Sequence, residues 1–167
     1  LMLIGVRNMG LVVFAVALFT LGFILHELAH KFAAQSFGLW AEFRLSTFGV
    51  AITAISILSP LKFIAPGMVL IAGMAARDVF GKVALAGPLT NLGVGLIAFL
   101  ASFAVPEGYR QVLEIGCWVN TYMALFNLIP WGDFDGLKIF RWNKAAWAVV
   151  VALGFILFFL VWPSLEI

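Results

Sequence analysis

The chain has 167 residues, 64% of them hydrophobic and 11% charged, and a formal net charge of +2. Ordinary soluble domains carry about 25% charged residues, so the composition excludes a soluble globular protein and indicates an integral, multi-pass membrane protein. The net charge is too small to imply a nucleic-acid partner, and a single cysteine, Cys117, excludes an intrachain disulfide.

The length suits one domain, taken as residues 1–167. Leu11 to about Phe37 reads as one helix, long enough for a bilayer core that needs about 20 residues. Its second half carries His26-Glu27-Leu28-Ala29-His30, which holds both histidines of the chain. Residues four apart on a helix share a face, so both imidazoles aim at one point. Two neutral imidazoles suit a zinc ion, and Glu27 beside them can accept a proton from water. Ionisable residues in an apolar run are costly and usually functional. No cleavable signal peptide is expected, because cleavage after the first apolar run would remove this motif.

Gly38 to Ser46 reads as an interfacial connection anchored by Trp40, and Phe48 to Leu58 as a short spanning or re-entrant piece. Met68 to Gly73 and Asp78 to Leu85 are short apolar runs between glycines and prolines, read as a β-hairpin or loop in the wall of an active site. Gly87-Pro88-Leu89-Thr90-Asn91 reads as the opening of the next helix, with Pro88 in its first turn. Asn91 either serves the site, touching substrate, or bonds a neighbouring helix. A further helix runs from about Gln111 to Ile129, with Glu114 at an interface, and Pro130 ends it. A polar segment follows, then Lys138, Arg141 and Lys144, then an additional C-terminal helix over about 145–161. The expected fold is an all-α polytopic membrane protein of about four to five transmembrane helices with a small membrane-embedded β-hairpin.

A catalytic zinc takes three protein ligands and keeps one position open. Asp133 and Asp135 both follow the helix break at Pro130. Asp135 is the better third ligand, because Gly136 permits a tight turn that presents it. Asn127 is a candidate hydrogen-bond donor to a tetrahedral oxyanion, or else an interhelical bond. Met68, Val69, Leu70, Ile71 and Ala72 offer a strand edge that can pair with the backbone of an unwound substrate. If Asp135 joins the histidines, the metal side also carries Arg44, Lys138, Arg141 and Lys144. The positive-inside rule then puts the zinc site nearer the cytoplasmic side of a cell membrane.

The ordered set, His26-Glu27-Leu28-Ala29-His30, then Gly87-Pro88-Leu89-Thr90-Asn91, then Asn127-Leu128-Ile129-Pro130 leading to Asp135-Gly136, resembles the site-2 protease family of intramembrane zinc metalloproteases. The resemblance covers a catalytic core of about residues 11–136. It implies one zinc ion per chain held by His26, His30 and Asp135, with Glu27 as base and Asn127 assisting substrate or oxyanion. It implies a β region between the first two core helices, and a substrate that is the transmembrane segment of another protein in the bilayer. Two features depart from the pattern: no PDZ or CBS domain is seen, and the 48–58 insertion is long. Two alternatives stand beside this reading. One is a membrane zinc protease of the kind that cuts prenylated proteins, which usually takes a glutamate as third ligand. The other is a non-enzymatic zinc scaffold or transporter, which would spread its ionisable groups along a path.

Overall fold

A computed structural model describes residues 9–45, 47 and 67–161. In chain order these form α1 (Met9–Ser36), β1 (Trp40–Leu45), β2 (Gly67–Ala72), α2 (Arg77–Ser102), α3 (Glu107–Asn127), α4 (Asp135–Trp142) and α5 (Lys144–Val161). Helix α2 lies against α1, α3, α4 and α5, and α3 also meets α1 and α5. One buried cluster joins Ala84, Leu92, Ala124, Leu128, Ile139 and Val150, with Trp142 and Trp147 packed on it. Its residues come from four helices, and it lies directly behind the end of the bundle that carries the ionisable groups.

Three helical stretches are long and apolar enough to cross a membrane: Val16–Ser36, Arg77–Ser102 and Lys144–Val161. Their outward faces remain apolar, with Ile97 69% and Phe159 63% exposed. An aqueous surface would not favour such contiguous apolar area. The count is three among the described residues, where four to five were expected. Helix α3 does not qualify, because Glu107, Arg110, Glu114 and two asparagines dilute its apolar content. Glu114, expected at an interface, is 4% exposed and accepts a hydrogen bond from Arg110 Nε at 2.8 Å.

The β region differs from the sequence expectation in its pairing. Strand β2 pairs antiparallel with β1, from Trp40 opposite Ala72 to Leu45 opposite Gly67. Residues 78–85, expected to supply the other strand, are the first turns of α2. Periodicity cannot separate a short apolar strand from a buried helical segment, and here the helix runs on through Gly87 and Pro88 despite their low helix propensity. Pro88 therefore lies inside α2 rather than in a first turn, where it withholds the donor that the Ala84 carbonyl would otherwise receive. Gly38, at φ 75°, turns the chain from α1 into β1. The 48–58 segment lies outside the described residues.

Helices α1 and α2 run antiparallel. His30 of α1 meets Val83 near the start of α2, and His26 meets Asn91 farther along. The end of α3 joins the same end of the bundle, where the Leu128 carbonyl accepts a bond from Trp147 Nε1 of α5 at 2.8 Å. Five chain segments thus converge at one end: the end of α1, the starts of α2 and α5, the end of α3, and α4.

Candidate metal centre

The two imidazoles project from α1 toward α2 because four helical residues bring them to one face. Their rings stand edge to face, with centroids 4.6 Å apart. Asp135, the first residue of α4, turns its carboxylate to the same point. His26 Nε2 and His30 Nε2 lie 3.0 Å apart, and Asp135 Oδ2 lies 3.2 Å from the first and 2.9 Å from the second. His26 is 2% exposed, and His30 and Asp135 are both 7% exposed.

The far side of each ring decides what these atoms can hold. His26 Nδ1 is 2.8 Å from Asn91 Oδ1, and His30 Nδ1 is 2.8 Å from the Val83 carbonyl oxygen. Both oxygens only accept, so both Nδ1 atoms donate. A neutral ring then presents a bare lone pair at Nε2. Two lone pairs and a carboxylate oxygen crowded together repel unless a cation sits among them. Ligands held about 2.0–2.1 Å from a tetrahedral zinc lie ~3.3 Å from one another, close to the separations seen. The nitrogen and oxygen set, with its outer atoms already bonded, fits zinc. The three residues are the grouping of metal-ligand type found among the described residues.

Burial works against a charge on Asp135, and the neighbouring Lys138 ammonium works in its favour. Lys138 Nζ donates to Asp135 Oδ1 at 3.1 Å, opposite the oxygen that faces the histidines.

Two glycines let the elements approach this closely. A Cβ on Gly87 would overlap His30 Nε2 and fall 2.6 Å from His26 Nε2. A Cβ on Gly136 would overlap the Leu128 carbonyl and fall 2.6 Å from the Ile129 carbonyl oxygen. Gly136 is helical, so its part is close approach of α4 to the end of α3; the turn itself is made at Gly132, φ 61°.

Glu27 stands next to the cluster on α1. Its Oε2 accepts the Val69 backbone N–H of β2 at 2.9 Å. That bond points the Val69 amide away from β1 and places the opposite edge of β2 beside Glu27.

Other singled-out residues sit differently. Asp133 is exposed and stands apart from the cluster, which takes Asp135 alone from this segment. Asn127 donates through Nδ2 to the Met123 carbonyl of its own helix at 3.0 Å. Asn91, expected to touch substrate, is 1% exposed and committed behind His26. Its Nδ2 reaches Met123 Sδ at 3.0 Å and Asn120 Oδ1 at 3.4 Å, and Asn120 Nδ2 continues to the Gly116 carbonyl at 2.9 Å. Gly22 makes room for that asparagine, since a Cβ there would lie 2.6 Å from Asn120 Oδ1.

Val83, Asn120, Lys138 and the Val69 amide were not legible as site groups. Two of them act through the backbone, and the others are ordinary helix residues until the helices pack. For Asn91, replacement by Leu is expected to weaken zinc binding by about 10–100-fold, the usual cost of removing an outer-sphere partner. Competition with a chelator of known affinity measures this. Unchanged affinity would show that His26 does not need its Nδ1 partner.

A buried His, His, Asp cluster with a carboxylate at its side, inside a bundle of apolar helices, has the composition that a metal-dependent hydrolase needs. The chain is 34% identical over 163 residues to the Methanocaldococcus jannaschii protein named "Putative zinc metalloprotease MJ0611", covering 93% of this chain and 85% of that one. It is 27% identical over 206 residues to the Bacillus subtilis protein named "Putative zinc metalloprotease YwhC", covering 95% of this chain and 88% of that one. The chain belongs to this zinc metalloprotease family. No family model matches the sequence, and no solved structure matches it.

Proposed function

We propose that this chain is an intramembrane metalloprotease of the site-2 protease type, cleaving a peptide bond in or near a transmembrane segment of a membrane-anchored substrate. The observation that carries this reading is the buried cluster of His26, His30 and Asp135 beside Glu27, set among helices apolar enough to span a membrane. Zinc, when bound, supplies Lewis-acid polarisation of a carbonyl and a readily deprotonated water.

The protein groups do the rest. Asn91 and the Val83 carbonyl hold the two imidazoles with Nε2 inward. Glu27 lies where it can take a proton from water and return it to the departing amine. The edge of β2 turned away from β1 offers the Val69 and Ile71 carbonyls and the Ile71 amide to a substrate strand, which draws the scissile segment out of its helix. Asn127, at the end of α3, supplies a side-chain amide for the oxyanion once it leaves the Met123 carbonyl. With the cationic residues around α4 facing the cytoplasm, the cluster lies nearer the cytoplasmic side of a cell membrane.

A panel of single-span substrates incubated with detergent-purified protein tests the reading, with bound zinc quantified alongside. Wild type is expected to cut at least one substrate and to carry one zinc per chain. Asp135→Ala is expected to lose both, and Asp133→Ala neither. A wild-type protein that binds zinc and cuts nothing, including a substrate cut by a close homologue, favours a zinc-binding membrane protein instead.

A further inference from the structure

A second polar feature lies at the same end of the bundle, outside the metal cluster. An open surface depression is lined by Ala75, Arg77, Phe80, Lys138 and Arg141. Arg77 opens α2, and Lys138 and Arg141, three residues apart, share one face of α4. The two elements touch closely because residue 81 is glycine; a Cβ there would overlap Trp142.

The cations outnumber the anions around this depression. Among the described residues, no carboxylate pairs with Arg77 or Arg141. The neighbouring Asp78 is turned to Lys82, 3.1 Å away. Lys138 has Asp135 Oδ1 as its partner, and its side chain is still 52% exposed. Like charges crowded this way repel, and nothing in the fold requires them to be together.

Their depth indicates what neutralises them. Arg77 and Lys144 are the first residues of two of the three apolar spans. The depression therefore lies at a membrane surface, level with lipid phosphates, while Phe80 gives it an apolar wall. Val83, which holds His30, follows Arg77 by six residues, or ~9 Å along α2. Guanidinium groups match phosphate oxygens in a two-pronged geometry, and basic pockets between membrane helices suit anionic headgroups.

We infer that Arg77, Arg141 and Lys138 form a binding site for the phosphate of an anionic lipid headgroup at the mouth of the metal centre. This rests on the membrane reading above. Lys138 joins the two places, because the ammonium that would meet the phosphate also holds the metal ligand Asp135.

The zinc-loaded full chain in detergent, titrated separately with phosphatidylglycerol, phosphatidylcholine and inorganic phosphate, tests the site. Native mass spectrometry counts retained ligand. Wild type is expected to retain one phosphatidylglycerol in preference to phosphatidylcholine. The double variant Arg77→Gln, Arg141→Gln is expected to bind it roughly thirtyfold more weakly, at the usual strength of two such contacts. Lys31→Gln with Lys82→Gln, which removes the same charge elsewhere, is expected to bind like wild type. Equal loss in both double variants reduces the effect to general electrostatics and overturns the site, as does unchanged binding in the first. Binding of inorganic phosphate without lipid preference overturns the headgroup assignment. Alkali-resistant flotation of wild type with phosphatidylcholine vesicles tests the membrane reading separately, so the two failures are distinguishable.

Discussion

Gly87→Ala is expected to empty the metal centre and to lower the stability of the metal-free protein as well. In a helix interior, alanine is ordinarily preferred over glycine by roughly 0.5–1 kcal/mol. Local helix energetics therefore predict a neutral or stabilising change. The site predicts the reverse for the metal. The new methyl carbon would overlap His30 Nε2 and come within 2.6 Å of His26 Nε2 and His26 Cε1. Those ring atoms are held from behind by Asn91 and the Val83 carbonyl, so neither ring can withdraw without breaking a buried hydrogen bond. Zinc affinity is expected to fall by roughly 100-fold or more, at or beyond the upper end of outer-sphere effects. Because the clash is with the protein's own rings, the metal-free variant should also melt earlier than the metal-free wild type. Zinc content and thermal unfolding, measured on both forms, separate the outcomes. Full zinc content in the variant would mean that α2 does not approach α1 this closely.

The second large effect is expected at Glu27. Glutamine keeps the shape and an oxygen for the Val69 N–H, which Glu27 now accepts at 2.9 Å. It cannot take a proton from water. Glu27 does not belong to the converging ligand set, so zinc content should remain at the wild-type level. Cleavage should fall by about 10²–10⁴-fold, the range for loss of a general base. Loss of zinc together with activity would make Glu27 a structural partner of the centre. Undiminished cleavage would place the base elsewhere.

The structure also gives β2 a more definite position than an embedded strand near the site. Because the Val69 amide is turned to Glu27, the edge of β2 remote from β1 and the Glu27 carboxylate address the same space. Strand β1, which the sequence presents as an interfacial connection anchored by Trp40, holds β2 there through the antiparallel register from Trp40 to Leu45.

Much of the chemistry was legible in the chain itself. A histidine pair four apart on an uninterrupted helix needs only helical geometry to converge, so His26 and His30 could be named without a fold. Helices apolar enough to span a membrane followed from the scarcity of charge, which no packing arrangement can change. Asp135 could be preferred to Asp133 but not assigned, because the direction of a carboxylate after a helix break depends on how α4 docks. That docking is set by Gly136 against the Leu128 and Ile129 carbonyls, a contact between segments. The same reason hid the pairing of β2 with β1, since register is a property of two strands and these two lie far apart in the sequence. It also hid Asn91 behind His26 and Glu114 in the core, because whether a polar helix residue faces a ligand, a neighbour or lipid is settled by rotation of whole helices. Helical periodicity acts over one turn and is written locally. The closed ligand set, the outer bonds that hold its rings, and the cationic depression beside it arise only where five segments meet.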